Sequence, residues 1–221
     1  MNNRLYRNCL LLLLTVLLAG LTDRMQAQTR NRQSVHTNSY DVPPAVPEML
    51  VFAGDTIRFD RADLRERMDR ELIAFSYMHT NSHLVIKRAN RLFPVIEPIL
   101  KEYGIPDDLK YLMVIESNLD PKSLSSAGAA GLWQFVQSTG REYGLEVNAN
   151  IDERYNTKKA TVAACKYLAE AYQKYGNWMT VAASYNGGQN GISRRLEEQH
   201  QTNALDLWLV EETSRYMFRL M

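Results

Sequence analysis

The chain has 221 residues, with 26 Lys and Arg against 25 Asp and Glu, so that its formal net charge is +1. A chain so close to neutral lacks the overall positive field of nucleic-acid-binding proteins, and we expect no nucleic acid as a partner. Apolar residues make up 45% of the sequence, which is enough for a hydrophobic core, and the length allows one helical domain with an extension or two small domains.

Residues 1–27 have the pattern of a secretory signal peptide. Arg4 and Arg7 precede an apolar run over residues 9–19, and Met25-Gln26-Ala27 offers a cleavage site. The run is shorter than the roughly 20 apolar residues that a membrane-spanning helix needs. We therefore expect export to the periplasm or cell envelope, with no stable membrane span after the signal is removed. An uncleaved membrane anchor is the alternative.

The two cysteines suggest neither a lipid anchor nor a disulfide. Cys9 lies at the beginning of the apolar run, whereas a lipoprotein signal has its cysteine at the end. Cys165 is then the one cysteine of the mature chain, so an internal disulfide is excluded. Because Cys165 is surrounded by small and apolar residues, a buried structural thiol is favoured over a nucleophile.

The segment before the candidate site divides into an arm and a helical extension. Residues 28–59 are polar and then rich in proline, which predicts an extended arm. Residues 60–103 form the predicted helical extension. The first helix of this extension is amphipathic, with apolar residues at Leu64, Met68, Leu72 and Phe75.

A second helix of the extension is predicted over residues 82–92, with breaks at Pro94 and Pro98 because proline disrupts a helix interior. His79 and His83 lie four residues apart and could in principle hold a metal. No acidic residue or further histidine lies near them in the sequence, so we expect no metal site.

Glu116 is the main candidate for chemistry. Its helix begins at residues 106–108, where a proline and two aspartates favour a helix start, and ends near Asn118. Apolar residues three, four and seven positions earlier place Glu116 on the apolar face. Partial burial there disfavours the charged carboxylate and raises its pKa, which suits a general acid. The alternative is an ordinary surface glutamate at a helix end.

Two features downstream are compatible with a ligand site. Residues 125–131 are all small, so that the backbone can approach a neighbour or a ligand closely, although a flexible loop is the alternative. Tyr185 and Asn186 precede two glycines. They could form the edge of a ligand site, and the alternative is a helix end with a packed tyrosine. Further helices are predicted over residues 132–143, from the N-cap Thr157 to Gly176, over 178–185 after the cap Asn177, and from Glu211 onward.

Five sequence blocks in order resemble the catalytic domain of the lytic transglycosylases, the SLT family, which shares its fold with goose-type lysozyme. The blocks read IPDDLKYLMVIESNLDPKSLSSAGAAGLWQF, STGREYGL, IDERYN, ASYNGG and EETSRYM. They are most similar to the membrane-bound lytic murein transglycosylase D type of that family, as are the helices that precede them. The resemblance implies an all-α, lysozyme-like catalytic domain over residues 104–221 with a helical N-terminal extension.

The resemblance also implies roles for seven residues. Glu116, in the Glu-Ser pair of the family, would be the single catalytic acid and base. The implied substrate-binding residues are Ser125, Gln134, Tyr185, Asn186, Glu212 and Tyr216. The chain departs from the common pattern with Trp133 in place of methionine, Ser184 in place of alanine, and Ser214 in place of arginine with Arg215 next to it.

The implied activity is that of a peptidoglycan lytic transglycosylase acting in cell-wall turnover. It would cleave the MurNAc-β-1,4-GlcNAc bond in peptidoglycan glycan strands and leave 1,6-anhydro-MurNAc ends, as a monomer without a metal or other cofactor. A muramidase on the same fold and a non-catalytic murein-binding module are the alternatives. The motifs contain no second carboxylate with an evident catalytic role, which favours the transglycosylase over a two-carboxylate hydrolase.

Overall fold

The computed structural model describes residues 43–221, apart from the side chains of residues 79 and 80. The predicted signal peptide over 1–27 and the first part of the predicted arm lie outside these described residues. Within them, the chain begins with a short antiparallel hairpin and continues as a series of helices.

The hairpin lies within the predicted arm. Strands β1 (Met49–Phe52) and β2 (Asp55–Arg58) pair with Phe52 opposite Asp55, so that two residues form the turn. Both turn residues have positive φ, as a tight hairpin turn requires. Phe52 is buried and the turn amide of Ala53 donates to the Asp108 carboxylate at 2.7 Å, so this part of the arm is docked on the helical core.

The remaining described residues are predominantly helical. The α-helices are α1 (Ala62–Ser76), α2 (His79–Glu102), α3 (Leu112–Ser117), α4 (Gln137–Glu142), α5 (Thr157–Tyr175), α6 (Trp178–Gly187), α7 (Gln189–Glu198) and α8 (Glu211–Leu220). Short 3₁₀ helices occur at Asp107–Tyr111, Glu153–Tyr155 and Ala204–Asp206. The predicted all-α class is therefore confirmed. None of the helices described here is long and apolar enough to cross a membrane.

The predicted helix break at Pro94 and Pro98 is wrong, because α2 continues through both prolines. Each proline removes one backbone hydrogen bond and costs about 3 kcal/mol in a helix interior. Ile96 and Leu100 lie on the inner face of the same segment and are at most 1% exposed. Burial of such side chains contributes about 1.5–3 kcal/mol each, so tertiary packing holds this part of α2 against its local preference.

Two further local predictions were wrong in detail. The helix predicted over residues 132–143 is helical only in α4, because Gly131 and Gln134 adopt left-handed φ values of 76° and 50° and the chain turns there. The N-cap of α5 is Asn156, whose side chain accepts from the amide of Lys159 at 3.1 Å, and Thr157 is the first helical residue.

Helix α6 lies at the centre of the core, where Val181, Ala182 and Ala183 are fully buried. The small residues of α5 allow α6 to approach it closely, as the alanine-rich face of α5 suggested. Cys165 of α5 is buried as a free thiol, which agrees with the prediction of a buried thiol. The α5–α6 pair thus forms a rigid base from which the end of α6 reaches the candidate site.

Candidate active site

The last turn of α3 fixes the position of Glu116. As predicted, the helix stops at Asn118, which has φ of 50°, and Leu119 follows with φ of 56°. The Ser117 hydroxyl bonds to two carbonyl oxygens, that of Met113 within the helix and that of Leu132 across the site, each at 3.0 Å. The residue after Glu116 therefore ties α3 to the loop on the opposite side of the site.

Leu132 directly follows the small-residue run 125–131, a loop that is held by a buried arginine. Arg154 donates to the carbonyl oxygens of Gly128 at 2.7 Å and Phe135 at 2.9 Å, while Asp152 binds its guanidinium through both carboxylate oxygens. Gly131 lies so close to this arginine that an added Cβ would be 2.0 Å from the Arg154 carbonyl oxygen. Small residues are needed here for close backbone approach.

A pocket of about 510 Å³ opens between the ends of α3, α6 and α8 and the 125–131 loop. All seven residues implied by the family resemblance line this one pocket: Glu116, Ser125, Gln134, Tyr185, Asn186, Glu212 and Tyr216. They come from segments up to 100 residues apart in the sequence. The fold therefore brings together the whole candidate set.

The environment of Glu116 suits a carboxyl group that exchanges a proton near neutral pH. Burial raises its pKa from 4.5 to about 7; the Tyr216 hydroxyl, which donates to Oε1 at 2.6 Å, opposes this rise, and the negative charge of Glu212 adds to it. The raised pKa agrees with the expectation from the apolar face of the helix. Because Tyr216 donates to Oε1, the proton of the neutral acid is carried by Oε2.

Tyr185 and Gln134 form a second wall of the pocket. The Tyr185 hydroxyl donates to the carbonyl oxygen of Trp133 at 2.7 Å, and its ring packs edge-on against Tyr167 with 5.1 Å between centroids. Burial, together with the charge of Glu116, raises the pKa of Tyr185 well above 10, so it stays neutral. Gln134 donates from Nε2 to the Gly131 carbonyl at 2.8 Å, which leaves its amide oxygen available as an acceptor.

Three other pocket residues retain hydrogen-bonding capacity for a ligand. The Ser125 hydroxyl accepts from the amide of Ala129 at 3.0 Å and can still donate its own hydrogen. Asn186 accepts from the Thr213 hydroxyl at 2.8 Å through Oδ1, so its NH₂ group can still donate. Glu212 is exposed and lies one helical turn before Tyr216 on α8. The pocket therefore contains two carboxylates, Glu116 and Glu212.

Sequence reasoning did not single out Tyr167 or Arg219, which also line the pocket, or Glu71, which supports it from α1. Glu71 is 2% exposed and accepts hydrogen bonds from Arg215 and Arg219 of α8. The spacing of Glu71 from Leu64 and Met68 would have indicated its burial, by the same reasoning that was applied to Glu116. Tyr167 gave no such signal, because it lies in an ordinary apolar stripe.

The residues that the structure describes include no group of three or more His, Cys, Asp and Glu side chains arranged to hold a metal ion. The polar groups that line the pocket are carboxyl, phenol, amide, hydroxyl and guanidinium groups. Such a set can transfer protons and bind a polar, hydroxyl-rich ligand by hydrogen bonds.

The chain is similar to curated proteins of one enzyme group. It is 29% identical over 182 residues to membrane-bound lytic murein transglycosylase D of Escherichia coli (strain K12), an alignment covering 79% of this chain and 39% of the relative. It is 29% identical over 124 residues to membrane-bound lytic murein transglycosylase C of Photorhabdus laumondii, covering 49% of this chain and 34% of that protein. With peptidoglycan transglycosylase gp16 of Escherichia phage T7 it shares 30% identity over 117 residues, which is 52% of this chain and 9% of the phage protein.

The chain thus spans well under half the length of these relatives. The family model of the transglycosylase SLT domain matches residues 94–207, just over half of the 221 residues. This match includes Glu116, the 125–131 loop and the end of α6, and so contains most of the pocket described above. The chain belongs to the transglycosylase SLT family.

Proposed function

We propose that this protein is a peptidoglycan lytic transglycosylase that cleaves the bond between N-acetylmuramic acid and N-acetylglucosamine and leaves a 1,6-anhydro-MurNAc end. The proposal rests on the environment of Glu116, in a chain that belongs to the SLT family. Its carboxyl group lines a pocket of about 510 Å³, accepts a hydrogen bond from Tyr216, and has a pKa raised by burial to about 7.

In the first step, the neutral Glu116 acts as general acid. Its proton on Oε2 passes to the glycosidic oxygen, and the bond from that oxygen to C1 of the muramic acid breaks. Positive charge develops at C1 and the ring oxygen, where the N-acetyl group of the muramic acid can assist. Glu116 becomes a carboxylate, and the Tyr216 hydroxyl bonded to Oε1 stabilises the new charge.

In the second step, the Glu116 carboxylate acts as general base. It removes the proton from the C6 hydroxyl of the same muramic acid, and the C6 oxygen forms a bond to C1. The 1,6-anhydro ring results, Glu116 is again neutral, and no water is consumed. A pKa near 7 allows both directions of proton transfer at neutral pH, because neither protonation state is strongly favoured.

The other pocket residues would bind and orient the glycan strand. We assign hydrogen bonds with the sugars to the groups of Ser125, Gln134 and Asn186 that remain available in the structure. The aromatic ring of Tyr185 provides an apolar surface opposite the polar groups. Residues 104–221 would carry the catalytic and substrate-binding groups, and residues 60–103 would be the helical extension, whose helix α1 supports α8 through Glu71. The protein would act as a monomer in the periplasm or cell envelope.

A muramidase activity on the same fold is the second candidate, and one observation favours it. Glu212 lines the same pocket and raises the pKa of Glu116 through its charge. Hydrolases of glycosidic bonds commonly pair two carboxyl groups, one as acid and one as base for water. If Glu212 activated a water molecule, the product would have a reducing end and would be heavier by one water than the anhydro product.

The test is mass spectrometry of the muropeptides released from purified peptidoglycan by the wild type, Glu116→Gln and Glu212→Gln. Anhydro-muramyl products from the wild type, with turnover reduced by about 10²–10⁴-fold in Glu116→Gln, are the expected result. Glu66→Gln is a matched control, because Glu66 is an exposed glutamate on α1. It should release the same products at the wild-type rate.

The other outcomes would each reject the proposal in a defined way. Reducing-end products that disappear in Glu212→Gln would identify a muramidase. Binding to peptidoglycan without release of products from the wild type would identify a murein-binding module. Full activity of Glu116→Gln would reject Glu116 as the acid and base.

A further inference from the structure

We propose that Arg219 binds a carboxylate of the peptidoglycan strand and thereby selects substrates that carry one next to the cleaved bond. This inference rests on the proposed function, because it concerns how the same pocket recognises its polymer. Nothing in the family resemblance or in the motifs pointed to this arginine.

Arg219 belongs to the face of α8 that is directed at the pocket. Glu212, Tyr216 and Arg219 are spaced i, i+4 and i+7, which places them on one side of a helix, and all three line the pocket. Arg219 lies three residues beyond Tyr216, about 4.5 Å further along the helix axis. Arg219 thus lies next to Tyr216 on the pocket-facing side of α8, where a residue could bind a substituent adjacent to the cleaved bond.

The buried carboxylate of Glu71 holds Arg219 in place. Glu71 accepts a hydrogen bond from Nε of Arg219 at 3.2 Å. Among the described residues this is the one hydrogen bond of the Arg219 guanidinium, so its terminal Nη groups can still donate. An arginine fixed at Nε with its remaining donors free can bind a carboxylate through two parallel hydrogen bonds.

Glu71 does not fully neutralise the charge of Arg219. Arg215 already bonds both oxygens of the same carboxylate, at 2.5 and 3.0 Å, and Arg70 lies 3.4 Å from it. One buried negative charge therefore faces three arginines, of which Arg70 also pairs with Glu211. Glu212, the exposed carboxylate of the same pocket, lies seven residues before Arg219 on α8, so the positive charge of Arg219 is a local one at the other end of that helix face. The side chain of Arg219 is 39% exposed and meets solvent there.

Arg219 also lines a second cavity, which gives a bound substituent a place to extend. This cavity of about 410 Å³ lies between α1, α2 and α8 and shares Ile115 and Arg219 with the catalytic pocket. Its other walls include apolar side chains such as Phe75 and Met78. A substituent attached to a sugar in the catalytic pocket can therefore extend past Arg219 into this partly apolar cavity.

The polymer offers a carboxylate at this position from two chemical sources. Muramic acid carries a lactyl group at C3, which ends in a carboxylate when it is unsubstituted. When a peptide stem is attached, the lactyl group becomes an amide and the stem supplies carboxylates of its own. The shared chemistry is a carboxylate attached to the muramic acid, and three ligands separate the sources.

The test measures binding to Glu116→Gln protein by calorimetry, so that turnover does not interfere. The ligands are glycan strands with peptide stems, strands freed of stems that carry lactyl carboxylates, and stem-free strands whose lactyl groups have been converted to neutral amides. We expect Arg219→Gln to weaken binding of a carboxylate-bearing ligand about tenfold more than binding of the amidated strand, since a charge-assisted pair contributes about 1.5 kcal/mol or more. A selective loss for stem-bearing strands identifies the stem, and one for the stem-free acid identifies the lactyl group.

Arg70→Gln is the matched control. It removes an arginine that lies 3.4 Å from the same buried glutamate, and Arg70 lines neither the catalytic pocket nor the second cavity. In the Glu116→Gln protein, Arg70→Gln should leave the relative affinities for the three ligands unchanged, and Arg219→Lys should restore part of the selectivity. An equal loss for all ligands in Arg219→Gln, no loss at all, or the same selective loss in Arg70→Gln would overturn the inference.

The outcome can be separated from that of the proposed function. If the protein releases anhydro products but Arg219→Gln has no effect on binding, the proposed function stands and the inference about Arg219 is rejected. If the wild type neither binds nor cleaves glycan strands, the proposed function is rejected, and the inference about Arg219 is rejected with it.

Discussion

Replacing Glu116 by glutamine should stabilise the folded protein above pH 7 and change its stability little near pH 4.5. Burial raises the pKa of Glu116 from 4.5 to about 7, and this difference is a cost to the folded state whenever the group is ionised. A shift of about 2.5 units corresponds to about 3 kcal/mol in the free energy of unfolding. Because the pocket is open to water, we expect about 2 kcal/mol to be measured.

The sign follows from the protons bound in each state. Between pH 4.5 and about 7 the folded protein keeps a proton on Glu116 that the unfolded chain has released, so stability falls as the pH rises through this window. Above pH 7 the cost is fully present. Glutamine does not ionise, and its side-chain oxygen can still accept the hydrogen bond from Tyr216. The advantage of the variant should therefore grow from near zero at pH 4.5 to its full value at pH 8.

Urea unfolding of the wild type and Glu116→Gln at pH 4.5 and pH 8 measures this difference. The contributions of the other ionisable groups to the free energy of unfolding are nearly the same in both proteins and largely cancel. Glu66→Gln, a change on the exposed face of α1, should give the same small difference at both pH values. A Glu116→Gln difference that does not vary with pH would refute the reasoning. So would a variant less stable than the wild type at pH 8.

Further substitutions test the same site and its support. Tyr216→Phe removes a hydrogen bond that lowers the pKa of Glu116, so the alkaline limb of the activity profile should move to higher pH while turnover falls. Glu212→Gln removes a charge that raises the same pKa, so that limb should move to lower pH. Gly131→Ala places a Cβ 2.0 Å from the Arg154 carbonyl at a φ of 76° and should lower the free energy of unfolding by about 3 kcal/mol or more, measured by urea unfolding. Arg154→Met leaves Asp152 and two carbonyls without their partner, and thermal unfolding should show a loss of about 3–5 kcal/mol.

The features predicted correctly from local sequence are those that helix geometry alone determines. The burial of Glu116 follows from its spacing to Leu112 and Met113 in the same α-helix, which depends only on the number of residues per turn. The stop at Asn118 and the cap by Asn177 follow from backbone preferences of those residues and their neighbours. Each of these predictions concerns contacts within about seven residues, and no tertiary partner was needed to make them.

The partners of these residues could not be obtained in the same way. Tyr216 is 100 residues from Glu116, and Arg215 is 144 residues from Glu71. No periodicity encodes which distant residue will face a given side chain. The family resemblance, and not local physics, suggested that Tyr216 belongs to the site. It did not suggest Glu71 or Arg219, which lie outside its motifs.

The errors show where packing overrides local preference. Pro94 and Pro98 would end an isolated helix, but α2 continues because its inner face is buried against the core. Conversely, the segment after Gly131 has an amphipathic pattern and yet turns, because Arg154 and the 125–131 loop require left-handed backbone at that point. In both cases the free energy gained from tertiary contacts exceeds the cost of the locally unfavourable backbone conformation.

The contacts between α1 and α8 bear on where the catalytic unit begins. Tyr216, which bonds Glu116, lies between Arg215 and Arg219 on α8, and both arginines are held by Glu71 of α1. A boundary at residue 104 would separate this carboxylate from its arginines and uncover the buried face of α8, where Phe218 packs beneath Arg67. The family match ends at residue 207, before α8 begins. The orientation of Tyr216 toward Glu116 therefore depends on two helices outside the matched segment, and we propose that α1 is part of the catalytic unit.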